Sequence, residues 1–245
     1  MSVVTVDERG PVTIVAINRP EKRNAINKEV AIALQRAFAQ FDRSEQRVAI
    51  LTGAGGRAFS AGADITDLPE LWRCVPTVGI ATEKPIIAAV AGWCIGGGLV
   101  IAMMCDLLVA AEGAKFSYPE GKVGITGGMI AGLAARIPHK VAMEMMLLGE
   151  PIGAQRAYEV GLANRVVADG GEIEEAVAMA QKIVDLAPLA LATMKRFVND
   201  GVLPKGPAEL AARSGAALAA VRDSADAAEG VRAFKEKRRP RYRGR

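Results

Sequence analysis

Hydrophobic positions along this chain fall into two patterns. Short, nearly unbroken runs end in small or polar residues: "RVAILTG" (47–53), "PIIAAVAG" (85–92) and "CDLLVAAE" (105–112). Such runs predict strands buried on both faces, and "PVTIVAIN" (11–18), alternating small and branched residues, predicts another. Between them, "NKEVAIALQRAFAQFD" (27–42) spaces its apolar residues as a helix does, with Asn27 placed to cap it. Strands alternating with helices predict an α/β protein built from repeated crossover units.

From Gly127 onward the pattern changes. The segments "GGMIAGLAARI", "KVAMEMMLLG", "GAQRAYEVG", "EIEEAVAMAQKIVDLA" and three more reaching Arg238 all read as helix, and only "LANRVV" (162–167) reads as a strand. A composition shift near Pro188 separates a core over residues 1–187 from a helical C-terminal module over 188–245.

Composition narrows the class. With 245 residues, 51% of them hydrophobic and 24% charged, the chain is an ordinary globular one, large enough for a sizeable core. It has no apolar run of about eighteen residues, and "MSVVTVDERG" lacks the basic-then-apolar order of a signal peptide, so the expected location is the cytoplasm. Cys74, Cys94 and Cys105 form no CxxC pair and have no histidine-rich company, so neither a disulfide framework nor a metal site is expected. The net charge of +4 is misleading as a nucleic-acid signal. "KEKRRPRYRGR" (235–245) holds seven Lys or Arg and one Glu, which leaves −2 for residues 1–234. A nucleic-acid domain spreads its basic residues over a folded face and adds aromatics for single strands, which here are 4%.

Common catalytic signatures are missing. The chain contains neither a GxGxxG opening a helix after a strand nor a GxxxxGK[ST]. His139 is the only histidine, no GxSxG accompanies it, and "RIPHKVAM" reads as a helix start near the surface. Two glycine turns remain, "RAFSAGADI" (57–65) and "CIGGGLVIAMMCD" (94–106), each following a predicted strand. Such turns present free backbone N–H groups, the second at a helix N-terminus where partial positive charge favours an anion. Two N–H groups converging on one oxygen make an oxyanion hole. Either turn alone is a plain strand–helix connection.

These motifs, in their order, resemble the crotonase (enoyl-CoA hydratase/isomerase) superfamily. The resemblance runs through "INRPEKRNAIN", "AFSAGADI", "KPIIAAVAG", "GGG", "CDLLVAAEGAKFSYPE", "AMEMMLLGEPIGAQRAYEVGLANRVV" and "DAAEGVRAFKEKRRPRYRG", nearly the whole chain. It implies a spiral of ββα units with a helical C-terminal trimerisation module, assembled as a trimer or a dimer of trimers. The substrate it implies is an acyl-CoA thioester, with CoA part of the substrate and no further cofactor, metal, nucleic acid or membrane. The oxyanion hole falls on the N–H groups of Ala63 and Gly97. Arg23 to Ala25 and the backbone from Ala61 through Asp64 to Ile65 embrace CoA, and Phe234 and Lys237 reach CoA on a neighbouring subunit. The basic tail then faces CoA phosphates, although beyond Arg239 it reads equally as a solvated, partly disordered end.

Three departures from the superfamily pattern bear on the reaction. Family hydratases divide their chemistry between two glutamates. The one in the "PE" pair is Glu120; the other maps onto Val100. Valine neither holds a water nor accepts a proton, whereas one carboxylate suffices to move a double bond by removing a proton at C2 and returning it at C4. Superfamily members with only the "PE" glutamate are similar to Δ3,Δ2-enoyl-CoA isomerases, the expected activity here. A hydratase acting on a 2-enoyl-CoA, a non-catalytic acyl-CoA binder and, as a minor alternative, a nucleic-acid binder using the basic tail are the rival readings. The connection between Asp64 and Lys84 is shorter than usual, which leaves the acyl pocket to Val100, Trp93 and Trp72, with Met103 and Met129 as further candidates. "VGITGGMIAGLAARIP" replaces the usual proline–glycine turn after the glutamate. Partial burial in an apolar pocket is expected to raise the pKa of Glu120, while Asp64 and Asp106 read as anchors of their turns.

Overall fold

The computed structural model describes residues 2–245. The chain opens with β1 (Val4–Arg9) and β2 (Val12–Ile17), then α1 (Lys28–Arg43). Three strand pairs follow: β3 (Val48–Gly53) with β4 (Ala58–Ser60), β5 (Ile86–Val90) with β6 (Trp93–Ile95), and, after α2 (Gly97–Met104), β7 (Leu107–Ala111) with β8 (Lys115–Ser117). The short α3 (Glu120–Val123), a 3₁₀ stretch (Met129–Ala135), α4 (His139–Leu148), β9 (Ile152–Gly153), α5 (Ala154–Glu159) and β10 (Arg165–Val167) complete the sheets. Four helices close the chain: α6 (Glu172–Val184), α7 (Pro188–Phe197), α8 (Pro207–Arg222) and α9 (Ala225–Lys235).

Each strand pair sends one strand to each of two sheets. The larger sheet has the order β1-β2-β3-β5-β7-β10 and the smaller β4-β6-β8-β9. Only β1–β2 and β8–β9 are antiparallel; all other neighbours run parallel. This is the spiral of ββα turns of a crotonase fold.

The apolar runs are continuous because the larger sheet is covered on both sides. Val12, Ile14, Val48, Ile50, Ile87, Ala89 and Val109 face α6, where Ala176 and Ala180 let the helix approach closely. Val15, Ile17, Leu51, Ala88, Val90 and Ala110 face the main core with α1 and α2. The period of two thus sorts one run into two cores. The predicted helix over 27–42 starts where its cap directs, with the Asn27 side chain accepting the Val30 N–H at 3.0 Å. His139 is the first, exposed residue of α4, as its context predicts.

Some elements differ from expectation. The segment over 127–137 forms a 3₁₀ run rather than an α-helix, entered through Gly128 at φ +73°. The strands β4, β6, β8 and β9, only two or three residues long, are too short for the hydrophobic pattern to predict. The tail beyond Arg239 folds back along α9 instead of hanging free. Glu229 holds Arg238 and the Arg241 N–H, and Asp226 accepts the N–H groups of Arg243 and Gly244 at 2.7 Å. Asp106 is the anchor it was read as. Its carboxylate accepts the Ile86 N–H and the Lys195 ammonium, both at 2.7 Å, tying α7 to the sheet. No single helix among the described residues is long and apolar enough to cross a membrane.

Candidate active site

The smaller sheet places the site. Strands β4, β6 and β8 are parallel neighbours, so their C-terminal ends emerge side by side. Each runs directly into a candidate residue: β4 leads to Ala61–Ala63, β6 to Gly96–Gly97, and β8 to Tyr118–Glu120. Parallel strands commonly offer a ligand site at this end.

The two glycine turns meet. A Cβ built on Gly97 would stand 3.5 Å from the Ala63 nitrogen, and one built on Gly62 would stand 3.3 Å from the Gly97 nitrogen. Gly62, at φ +90°, takes a conformation that only glycine adopts without strain. Neither the Ala63 nor the Gly97 N–H donates to a partner among the described residues. Ile26 explains the orientation at Ala63: its N–H and C=O take Gly62 and Asp64, leaving the Ala63 N–H on the opposite side. Gly97 opens α2, a helix buried on every face, so its free N–H carries the positive end of the helix dipole. Two free donors at one spot can stabilise a developing oxyanion.

A buried polar frame holds the first turn. Asn24, fully buried at φ +56°, donates to the carbonyls of Ala54 and Ala58 at 2.9 and 2.8 Å and accepts the Arg19 N–H. The Ser60 hydroxyl donates to the Asn24 carbonyl at 2.8 Å and accepts the Gly62 N–H at 3.1 Å. Arg19 joins the Ala25 carbonyl at 2.7 Å to the Asp64 carboxylate at 3.2 Å. Asp64 also receives the N–H and hydroxyl of Thr66, and these bonds lower its pKa. The structure therefore brings Arg23, Ala25, Ala61, Asp64 and Ile65 to one rim, with Arg23 and Ile65 exposed. Asp64 is engaged in holding that rim.

Glu120 begins α3 and faces Gly96 across the cleft, its Oε1 against the space where a Gly96 side chain would stand. Its Oε2 is buried without a hydrogen-bond partner among the described residues. Burial pushes its pKa up to about 7, opposed in part by a backbone hydrogen bond.

Glu120 and Val100 line one cleft of about 350 Å³, together with Ala63 and Gly97. Leu71, Ile95, Val123 and Met129 supply much of its apolar wall, and Tyr118 and Thr126 add hydroxyl groups. Val100 is only 2% exposed, and no second carboxylate lines the cleft. Two expected pocket residues lie elsewhere. Trp93, at the far end of β6, has the Lys115 ammonium over its ring at 5.2 Å. Trp72 lies under the Arg73 guanidinium at 4.6 Å, and its neighbour Leu71 turns into the cleft in its place. Met103 packs into the core. Phe234, 87% exposed, and Lys237 lie on the C-terminal module and do not line this cleft within one chain.

Sequence reasoning missed Leu71, Ile95, Tyr118 and Thr126; it named the segments holding Asn24, Gly62 and Gly96 but not the particular role of each. Tyr118 had a local signal, two residues before Glu120 in "FSYPE". Asn24 had none, because its role comes from residues thirty positions away.

Two free backbone donors at the ends of parallel strands, facing a half-buried carboxylate in this fold, mark an enzyme of the crotonase superfamily. The chain belongs to the enoyl-CoA hydratase/isomerase family, whose model matches residues 7–245. It is 36% identical to a carnitinyl-CoA dehydratase of Salmonella typhi, with 96% of each chain covered. Among solved structures it is similar to an enoyl-CoA hydratase from Mycobacterium tuberculosis, with 36% identity, TM-score 0.78 and all of both chains covered. A carnitinyl-CoA hydratase from Mycobacterium avium gives 35% identity and TM-score 0.77, again over both full chains.

Proposed function

We propose that this protein isomerises 3-enoyl-CoA thioesters to their 2-enoyl isomers, with Glu120 as the only acid/base. The observation that carries this reading is the pairing of Glu120 with Val100, which leaves one carboxylate in the cleft. The thioester oxygen sits between the Ala63 and Gly97 N–H groups. Glu120 removes a proton from C2, and the resulting enolate places its negative charge on that oxygen. Glu120 then returns the proton to C4 as the double bond moves from C3–C4 to C2–C3, so the carboxylate is regenerated. A pKa near 7 suits both halves, because each protonation state is populated at neutral pH.

CoA extends from the cleft over the rim formed by Arg23, Ala25, Ala61, Asp64 and Ile65. In an assembled homo-oligomer, Phe234 and Lys237 meet CoA bound to a neighbouring copy. Leu218, Val221 and Val231 are exposed on α8 and α9 in the single chain, which supports assembly through the C-terminal module.

A second reading is the addition or removal of water across C2–C3, favoured by the names of the relatives. It requires another group to hold the water that Val100 cannot. The deciding experiment is incubation with a short trans-3-enoyl-CoA, followed by mass and conjugated-enoyl absorbance. Accumulation of a conjugated species of unchanged mass, lost in Glu120→Gln while ester binding persists, is expected. No change with that substrate, or full activity in Glu120→Gln, overturns the proposal.

A further inference from the structure

Tyr118 and Thr126 form a hydroxyl pair in the wall of the acyl cleft, with their oxygens 2.8 Å apart. Tyr118 leaves β8 two residues before Glu120 and is 6% exposed. Thr126, itself exposed, lies in the segment after α3. Isomerisation of a hydrocarbon chain has no use for such a pair.

Counting hydrogens shows what the pair lacks. The Thr126 oxygen accepts the Gly128 N–H at 3.1 Å. The two hydroxyls carry two hydrogens between them, and their mutual bond uses one. One donor is left over, with no acceptor among the described residues. Burial and the neighbouring Glu120 raise the Tyr118 pKa, so the phenol keeps its proton. Across the same cleft, the buried Glu120 Oε2 has no donor. A spare donor and a spare acceptor sharing one apolar cleft match a group that both accepts and donates, namely a hydroxyl or a water. A plain hydrocarbon acyl chain leaves the buried Glu120 oxygen unmatched and gives the hydroxyl pair no partner inside the cleft.

We infer that Tyr118 and Thr126 form an oxygen-binding element of the acyl cleft, selecting an oxygen near C3 that is either a water or a hydroxyl of the acyl group itself. The inference rests on the acyl-CoA reading of this cleft. It also gives the water-adding reading the polar group that Val100 cannot provide.

Calorimetry of the full-length protein with 3-hydroxybutyryl-CoA and with butyryl-CoA tests this, with ligand integrity checked by mass. The hydroxy ester is expected to bind about 3- to 10-fold more tightly, the range of one neutral hydrogen bond. Tyr118→Phe and Thr126→Val are expected to bring the two esters within about twofold of each other, and Thr126→Ser to restore the preference. A water-holding role predicts that the first two variants lose hydration of crotonyl-CoA by a larger factor than they lose isomerisation of a 3-enoyl-CoA. A substrate-hydroxyl role predicts that the wild type leaves crotonyl-CoA unhydrated and that only the binding preference falls. Equal binding of the two esters by the wild type, or a preference that survives in both Tyr118→Phe and Thr126→Val, overturns the inference and leaves the acyl-CoA reading intact. Failure of either ester to bind at all overturns both.

Discussion

The carboxylate of Glu120 lies against Gly96, filling the space where any other residue at that position would carry its side chain. The first glycine of the triplet, at φ +55°, thus has two tasks. It turns the chain from β6 into α2, and it makes room for the only acid in the cleft.

Gly96→Ala therefore strikes the carboxylate as well as the backbone. The added methyl displaces Glu120 and forces alanine into a positive-φ conformation, φ +55° and ψ −117°, outside the left-handed helical region and costing about 1–3 kcal/mol. Turnover should fall by about 10²-fold or more, the range general acid–base catalysis provides. Steady-state kinetics alongside thermal unfolding separates the two effects: the fall in turnover is expected at temperatures well below a Tm lowered by about 2–12 °C.

Glu120 sets the pH response. With its pKa near 7, activity that depends on the carboxylate as base rises with pH through that value and levels above it. A kcat/KM profile with no inflection near 7 would argue against Glu120 as the base. The stability effect has the opposite sign. The folded pKa is raised above the ordinary value of 4.5, so between roughly pH 4.5 and 7 the folded state binds more protons than the unfolded one. Stability from this group consequently falls as pH rises across that window. Glu120→Gln should thus gain Tm relative to wild type between pH 5 and pH 8.

Gly62→Ala tests the oxyanion hole. A methyl group there meets the Ile95 carbonyl at 2.9 Å and the Gly97 nitrogen at 3.3 Å, so the two donors cannot keep their spacing. A loss of about 10²–10³ in kcat is expected, as for removal of one oxyanion donor. KM for the CoA ester should change far less, which initial-rate kinetics resolves.

Val100→Glu places a second carboxylate in the cleft. Like charge should raise the Glu120 pKa further, moving the kcat/KM inflection above 7. Burying a carboxylate at so enclosed a position costs several kcal/mol, read by denaturant unfolding. Hydration of a 2-enoyl-CoA should increase relative to isomerisation, measured as the ratio of products.

Asn24→Ala removes both donors from the buried carbonyls of Ala54 and Ala58 and puts alanine at φ +56°. Each orphaned group costs about 1–3 kcal/mol. A loss of about 2–5 kcal/mol in chemical unfolding is expected, with weaker CoA-ester binding because the adjoining rim loosens.

Local order along the chain determined a good deal by itself. Unbroken apolar runs declared strands sandwiched between two cores, because a strand covered on both faces has no reason to alternate. The Asn27 cap, the glycine turns and the "PE" pair marked positions where the backbone itself must do something specific, so they were legible one motif at a time. The absence of a glutamate at Val100 was equally plain, since it is a fact of residue identity. Tertiary structure alone decided where these pieces meet. Strands β4, β6 and β8 are too short to announce themselves by periodicity, yet their parallel pairing aligns Ala63, Gly97 and Glu120 at one edge. Whether a tryptophan or a leucine faces the cleft depends on how the 3₁₀ turn Leu71–Cys74 is rotated, so Leu71 replaces Trp72 without any trace in the pattern. The raised pKa of Glu120 and the spare hydrogen of Tyr118 and Thr126 depend on burial and on partners brought together in space. Solvation and hydrogen-bond completeness are properties of the packed molecule, and no linear spacing encodes them directly.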